Sequence, residues 1–437
     1  MADCPLQSTA DRVEILVVGA GPAGIAAACE AADAGREVMV LDDNPETGGQ
    51  IWRGGPRQAE GSAAAWFSRL AASGARLHHG TTMIDALPDC TVVARSPRGI
   101  RQLKAGTIIL ATGARERFIP FPGWTLPGVV GAGGLQALVK QGLDISGKRI
   151  VIAGSGPLLL AVADLVVRKG GRLVAVVEQA PLGRLARFAT TLLGHPGKLA
   201  QAISIRSRIG GVLRVGSFPE RVSADPDGLV VSFVAGPAGR ERRWEERCDI
   251  LACGFGLVPN LEVARLLGCD IAAGRIVVDE LGRTSVTGVL AAGEGTGVGG
   301  VDKAVIEGRI AGLVAAEQLD AARSLSAARR RAAAFSAALD HTFALDPRLA
   351  RLADDATLVC RCEDVAAGRL RCHGSWREAK LMTRIGMGPC QGRVCGPAAE
   401  QLFGWSHADV RPPLTPVSVA DMCRSATMQA ATLEPSR

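Results

Sequence analysis

The chain has 437 residues, 47% of them hydrophobic and 21% charged, with a formal net charge of +7. That length exceeds what one hydrophobic core usually serves, so two or three domains are expected. The positive charge is thinly spread, with neither a clustered basic face nor interleaved stacking aromatics, which excludes a nucleic-acid binder. The densest basic run, Arg329 to Arg331, lies in an Ala-rich helical stretch and reads as a solvated face. Residues Met1 to Glu14 lack the apolar run of a signal peptide. No stretch reaches the roughly 18 apolar residues of a membrane helix, so a cytoplasmic protein is expected. Twelve cysteines in such a protein point to metal or redox chemistry before disulfides. Cys29, Cys90, Cys248, Cys253 and Cys269 read as core residues or bystanders.

The first predicted element is an apolar strand over Val13 to Val18, followed by Gly19-Ala20-Gly21-Pro22-Ala23-Gly24 and a helix from about Ile25 to Ala34, stopped at Gly35. A second strand, Glu37 to Leu41, ends in Asp42. This is a βαβ unit of dinucleotide-binding scale. Gly19 permits the tight turn, Gly21 lets the backbone approach a pyrophosphate, and Gly24 lets helix and strand pack closely. The helix N-terminus from Pro22 and Ala23 onward offers free N–H groups to phosphate, and Asp42 can accept hydrogen bonds from both ribose hydroxyls.

A strand from Thr107 to Leu110 then runs into Ala111-Thr112-Gly113. A second βαβ unit follows: a strand over Arg149 to Ala153, the turn Gly154-Ser155-Gly156, a helix over Pro157 to Lys169, and a strand over Leu173 to Val177 closed by Glu178. Glu178 suits NAD rather than NADP, because a carboxylate repels a 2′-phosphate. The third turn position is Leu159, where a small residue is preferred, so NAD, another adenine nucleotide and no ligand all remain open for this unit. A strand over Gly288 to Ala292 runs into Gly293-Glu294, and a helix over Lys303 to Leu319 follows. The expected division is a discontinuous first domain over 11–115 and 246–325, an inserted domain over 116–245, and a helical connector with a small, mainly helical C-terminal domain over 326–437. The fold class is α/β, with two Rossmann-like dinucleotide domains.

The last segment holds Cys360-Arg361-Cys362 and, further on, Cys390 and Cys395, a C-x-C pair followed by a C-x4-C pair. Four thiolates in two close pairs suit zinc or an iron–sulfur cluster. A C-x-C pair is tighter than the usual zinc-ribbon C-x2-C, but spacing alone leaves a zinc knuckle or four reduced thiols open. Glycines at 386, 388, 392 and 396 leave room for backbone N–H groups, and Arg361, Lys380, Arg384 and Arg393 could offset cluster charge. Cys372 and His373 lie between the pairs, His373 as an exposed loop residue or a replacement ligand, and Cys423 reads as incidental. The chain shows no Ser/His/Asp set, no metal-hydrolase motif and no redox cysteine pair after the second strand or in the inserted domain, so no catalytic residue is assigned.

With Gly48-Gly49-Gln50, Thr112-Gly113 and Gly293-Glu294 in register behind the first turn, the chain resembles two-dinucleotide-binding-domain flavoproteins. That resemblance implies FAD on Gly19, Gly21, Pro22, Ala23, Gly24, Asp42, Gly49, Gln50, Thr112, Gly113 and Gly293. It also implies a ribityl contact from Glu294, where the family usually has Asp. Gly154, Gly156 and Glu178 are the matching positions of the second nucleotide site.

The cysteine segment is similar to the bacterioferritin-associated-ferredoxin-like [2Fe-2S] domain. In its fuller form, from Cys360 to Val365 through Lys380, Thr383-Arg384 and Gly386 to Gly392 to Cys395, it resembles the C-terminal part of the FAD-containing α subunit of multi-subunit amine dehydrogenases. The late Arg411-Pro412-Pro413, with Pro416 and Val417, fits that group's C-terminal arm. That group includes opine oxidases, D-hydroxyproline dehydrogenases, hydrogen cyanide synthase and dye-linked proline dehydrogenases. The resemblance implies FAD, a [2Fe-2S] cluster on Cys360, Cys362, Cys390 and Cys395, and in some members FMN at a subunit interface. It also implies two partners, a D-amino-acid-oxidase-like flavoprotein β subunit that oxidises the substrate and a small ferredoxin-like γ subunit, with peripheral contact to the respiratory chain as an option. Two other readings stand beside it: a self-contained NAD(P)H-dependent FAD/[2Fe-2S] reductase, and a non-enzymatic, cluster-bearing scaffold or binding module.

Overall fold

The computed structural model describes residues 11–87, 89–408 and 411–423. The expectation about the N-terminal leader rests mostly on residues 1–10, which lie outside the described residues. The chain divides into two compact units, one built from 1–114, 259–334 and 408–437, the other from 115–258 and 335–407.

In the first unit a mainly parallel sheet is centred on Asp11–Val18. Val38–Leu41 and Arg76–His78 extend it on one side, and Gly99–Leu110 lies on the other. The far edge of that long strand is shared. Its first half pairs antiparallel with Thr91–Ser96, which pairs in turn with Thr82–Ala86. Its second half pairs parallel with Val289–Ala291, so the late segment enters the sheet beside the early one. Buried on both faces, the central strands read as near-continuous apolar runs, with Ile15, Val17, Val38 and Val40 on one side and Leu16, Val18, Met39 and Leu41 on the other.

The helix Pro22–Asp33 opens on a proline at its first position, three residues before the expected start, because proline's fixed φ suits that position. It packs backbone to backbone against Val301–Ala315. A Cβ on Gly308 would stand 2.1 Å from the Ala23 carbonyl oxygen, and one on Gly312 2.3 Å from that of Ala27. The late helix is shorter than the sequence suggests: Glu317, at φ 64°, ends it, and a separate helix Leu319–Ser324 follows. Within this unit the C-terminal arm lies along the edge strand, the Leu414 amide donating to the Ile84 carbonyl at 2.9 Å and Arg95 to that of Pro416 at 3.0 Å.

The second unit has a five-stranded parallel sheet in the order Leu213–Val215, Arg172–Glu178, Arg149–Ser155, Ile250–Phe255, Val129–Gly131. A three-stranded antiparallel sheet, Ser217–Asp225, Gly228–Ala235 and Arg242–Cys248, accompanies it. The return to the first domain, expected at 246, comes later. Ile250–Phe255 pairs with Ile150 to Ser155, so the inserted part runs through Val258. The C-terminal segment from 335 to 407 is also no independent third body. Leu349 is fully buried in the core that holds Val151, Phe218 and Phe233, and the Trp124 indole donates to the Leu358 carbonyl at 2.7 Å. Around the cysteines a smaller core forms from Val359, Leu370, Trp376, Ile385 and Trp405. Among the described residues, no helix is long and apolar enough to cross a membrane.

Candidate cofactor sites

Four sequence-distant motifs meet at the first glycine turn. Gly19, at φ 106°, lies against the Ala111 carbonyl, where a Cβ would stand at 2.3 Å. Gly24 lies on Gly19, a Cβ there meeting its carbonyl oxygen at 1.8 Å. Gly49 faces Gly21, its own Cβ position 3.0 Å from the Gly21 Cα, and the Gly48 amide donates to the Ala20 carbonyl at 2.8 Å. Gly293 abuts Ala23, with 2.8 Å between a Cβ there and that of Ala23, and the Ala292 amide donates to the Leu110 carbonyl at 3.0 Å. These contacts place the expected positions at 19–24, 49–50, 112–113 and 293–294 around one helix N-terminus, that of Pro22–Asp33, which no side chain caps. Small residues there leave a cradle that side chains would fill, as a bound pyrophosphate requires.

The polar groups at this turn are already partly committed. Buried Asp42 accepts from the Ala20 amide at 2.5 Å and, through its other oxygen, from the Asn44 amide at 2.7 Å. Oδ1 also accepts from the Asn44 side-chain amide at 2.8 Å, so Oδ2 is the oxygen that keeps a further lone pair for a ribose hydroxyl. Thr112 donates through Oγ1 to the Asn260 carbonyl at 2.8 Å, and the Asn260 side chain returns a bond to the Thr112 carbonyl at 2.8 Å. Gln50 is exposed and accepts from Arg53 at 2.6 Å. Glu294 curls back on its own loop, its oxygens accepting from the Gly299 amide at 3.2 Å and the Gly300 amide at 2.9 Å. Burial pushes its carboxyl above the usual range, against the pull of those amides and of Lys303.

Sequence reasoning missed what holds this loop. Lys303 and Glu307, one turn apart on the late helix, form a buried ion pair at 2.8 Å. Lys303 Nζ also reaches the carbonyls of Gly293 at 3.0 Å and Gly297 at 2.9 Å, and Thr296 Oγ1 at 2.7 Å. Glu307 accepts from the Gly293 amide at 3.0 Å and from Thr296 at 2.7 Å. The Lys-x3-Glu spacing behind a glycine loop was the available signal, but such a pair reads first as surface charge.

At the second turn Gly154 is needed for close approach, a Cβ there meeting the Gly254 carbonyl oxygen at 1.9 Å. Glu178 is buried, and both of its oxygens are taken by amides, that of Gly156 at 2.7 Å and that of Ala180 at 2.8 Å. Burial raises its carboxyl to about 7 in spite of these bonds. Leu159, at the third position, is buried in the unit's core beside Ala132 and the Gly254 backbone.

In the C-terminal segment the structure brings all four expected thiols together. All four are free thiols: that of Cys395 donates hydrogen bonds to Cys360 and Cys390, and that of Cys362 donates to Cys390. Cys360 ends the short strand Leu358–Cys360, and Cys395 starts the helix Cys395–Phe403. Cys360 and Cys395 are buried, Cys390 is half-buried and Cys362 is exposed, so one side of the group faces outward. Bonding from the Cys395 thiol lowers Cys360 to about 6, helped by the backbone N–H groups of Gly386, Glu363 and Cys362. The same thiol lowers Cys390 to about 5, helped by those of Val394 and Gly392. Cys395 is correspondingly raised.

Gly388 passes so close that a Cβ there would stand 2.2 Å from that of Cys362. Four thiols, two held toward thiolate by the Cys395 thiol and by backbone amides, are by their chemistry a donor set that fits an iron–sulfur cluster. Among the described residues, no group of three or more His, Cys, Asp or Glu side chains is arranged to hold a metal ion. His373 is engaged with Glu378 at 3.2 Å. Of the expected compensating cations, Arg384 pairs with Glu363 at 2.8 Å and Arg361 lies over the Trp124 ring.

Residues 13–319 match the pyridine nucleotide-disulphide oxidoreductase family profile, and the chain belongs to that family. It is 34% identical to an opine oxidase subunit of Rhizobium meliloti (strain 1021), over 94% of this chain and 98% of that protein. It is 30% identical to hydrogen cyanide synthase subunit HcnB of Pseudomonas aeruginosa, over 87% of this chain and 90% of that protein. Among solved structures it resembles L-proline dehydrogenase from P. horikoshii, with a TM-score of 0.63 at 18% identity over 95% of this chain and 81% of that one. The chain is therefore a flavin-dependent oxidoreductase subunit of the type these relatives represent. The dinucleotide-binding fold and its FAD-type cradle follow from the same matches.

Proposed function

We propose that this chain is the electron-transfer α subunit of a heteromeric flavin-dependent dehydrogenase acting on the CH–NH bond of an opine, D-hydroxyproline or a related amine or imino acid. The supporting observation is the pairing, in one polypeptide, of the glycine cradle around Gly19, Gly21, Gly24 and Gly49 with the four-thiol group of Cys360, Cys362, Cys390 and Cys395. FAD supplies two-electron chemistry and a [2Fe-2S] cluster one-electron chemistry, so together they divide an electron pair into single electrons. In this reading, Pro22 to Gly24 and Gly49 hold the pyrophosphate, Asp42 the adenosine ribose, and Thr112, Gly113, Gly293 and Glu294 the flavin end. Amides of Glu363, Gly386, Gly392 and Val394 stabilise the ligating thiolates.

Substrate oxidation falls to a D-amino-acid-oxidase-like flavoprotein β subunit, with FMN at the interface and a small ferredoxin-like γ subunit completing a cytoplasmic complex. Relatives named as subunits of opine oxidase, hydrogen cyanide synthase and sarcosine oxidase support this assignment. The test is to recover the tagged chain from its native host, identify what co-purifies, and assay the complex with a dye acceptor against octopine, nopaline, D-hydroxyproline, proline and glycine. Activity should require the partner; full activity from the isolated chain would overturn the assignment.

A further inference from the structure

The second glycine turn is engaged by the chain itself. Ser155, between Gly154 and Gly156, donates through Oγ to the Phe343 carbonyl at 3.1 Å. Gln179, directly after Glu178, donates through Nε2 to the Ala344 carbonyl at 3.0 Å and to Ser155 Oγ at 3.0 Å. Its Oε1 accepts from the Asp346 amide at 2.7 Å. Arg184 reaches the same Ala344 carbonyl at 3.2 Å. The Phe343 ring stands edge-on to Phe188, with centroids 5.5 Å apart. These side chains sit at the carboxyl ends of Arg149–Ser155 and Arg172–Glu178, where a parallel sheet of this class receives its dinucleotide.

The segment is fixed immediately downstream as well. Arg348 bonds Asp346 at 2.8 Å and the Gly236 carbonyl at 3.0 Å, and Leu349 is fully buried. Leu159 replaces the small residue that would let the helix pack closely on the strand, and its buried side chain lies against the Gly254 backbone instead.

We propose that the second dinucleotide-type turn is a socket for the chain's own main chain at 343–346 rather than a nucleotide site. Its ligand is a peptide, two carbonyls and an amide, read by the hydroxyl of Ser155 and both ends of the Gln179 amide. The socket anchors the chain where it leaves the helix Ser326–Thr342 and leads into the cysteine segment. NADH and NADPH are then not the electron donors, and reducing equivalents come from a protein partner. The inference goes beyond the electron-transfer assignment and stands or falls separately from it.

Two measurements on FAD-loaded protein decide it. Amide hydrogen exchange should show the Asp346 amide protected in the wild type. Gln179→Ala removes three hydrogen bonds, among them the acceptor of the Asp346 amide, and should speed that amide's exchange by at least roughly fivefold, the equivalent of one net hydrogen bond, with the flavin spectrum unchanged. Free exchange of 343–346 in the wild type would overturn the proposal, and that measurement needs no variant. Titration with NADH, NADPH and ADP should give no saturable binding and no new protection over 154–160. Saturable binding of NADH with protection of that turn would overturn it equally.

Discussion

Replacing Lys303 with Met tests the claim that the flavin-end loop is held from below by a buried charge. The ammonium has four partners between 2.7 and 3.0 Å: the carbonyls of Gly293 and Gly297, Thr296 Oγ1 and Glu307 Oε2. Methionine fills the volume but supplies no donor, so the Gly297 carbonyl loses its bond to the ammonium, that of Gly293 keeps only Thr296 Oγ1 at 2.8 Å, and Glu307 loses its cation. Breaking a buried pair from one side costs about 3–5 kcal/mol. Arg329, 3.7 Å from the other Glu307 oxygen, retains some compensation and favours the lower end. At roughly 2–4 °C per kcal/mol for a unit of this size, the first unit should melt at least about 6 °C lower and release FAD on heating before the second unit unfolds. Thermal melting read by flavin fluorescence makes the measurement. The double variant Lys303→Met/Glu307→Gln should recover part of the loss, because Gln keeps the acceptor for Gly293 and Thr296 without the unpaired charge. A melting shift under about 2 °C in the single variant, or a double variant worse than the single, would refute the reasoning.

Three further outcomes follow from the geometry. Gly308→Ala places a Cβ 2.1 Å from the Ala23 carbonyl oxygen, so the helix carrying Ala23 must shift; FAD content at purification should fall sharply, measured from the absorbance ratio. Glu178 holds its proton to about 7 when folded but releases it near 4.5 when unfolded, so between those values the folded state binds the extra proton. Stability from this group is therefore full below pH 4.5 and declines as pH rises toward 7, by about 3 kcal/mol in all. Denaturant midpoints should show that slope in the wild type and not in Glu178→Gln. Burial raises the thiols of Cys29 and Cys248 to about 12, so at pH 8 iodoacetamide should leave both unmodified in the native protein while exposed Cys372 reacts, as read by peptide mass spectrometry.

The first glycine cradle was legible because its glycines at 19 and 24 sit where backbone meets backbone, and only glycine satisfies Gly19 against Ala111 or Gly24 against Gly19. Register between motifs then followed from the sheet, which places Leu110 beside both Val18 and Ala291. The domain boundary was not legible. Ile250 to Phe255 is apolar and would suit either parallel sheet, and only its pairing with Ile150 to Ser155 assigns it. Close spacing within each pair announced the thiols, but not that the segment carrying them builds onto the inserted domain through Leu349 and Trp124. Ser155 and Gln179 looked like ordinary turn residues, because their partners lie far along the chain at 343–346. Leu159 was the one local sign that this turn departs from the G-x-G-x-x-G pattern.

The proposed relay needs a flavin in the glycine cradle and a cluster on the four thiols of the same chain, and metal content tests that pairing most directly. Anaerobically purified protein should contain about two irons and two acid-labile sulfides per chain, with a rhombic electron-paramagnetic-resonance signal after reduction that disappears in Cys390→Ser. Zinc with neither iron nor labile sulfide would contradict it.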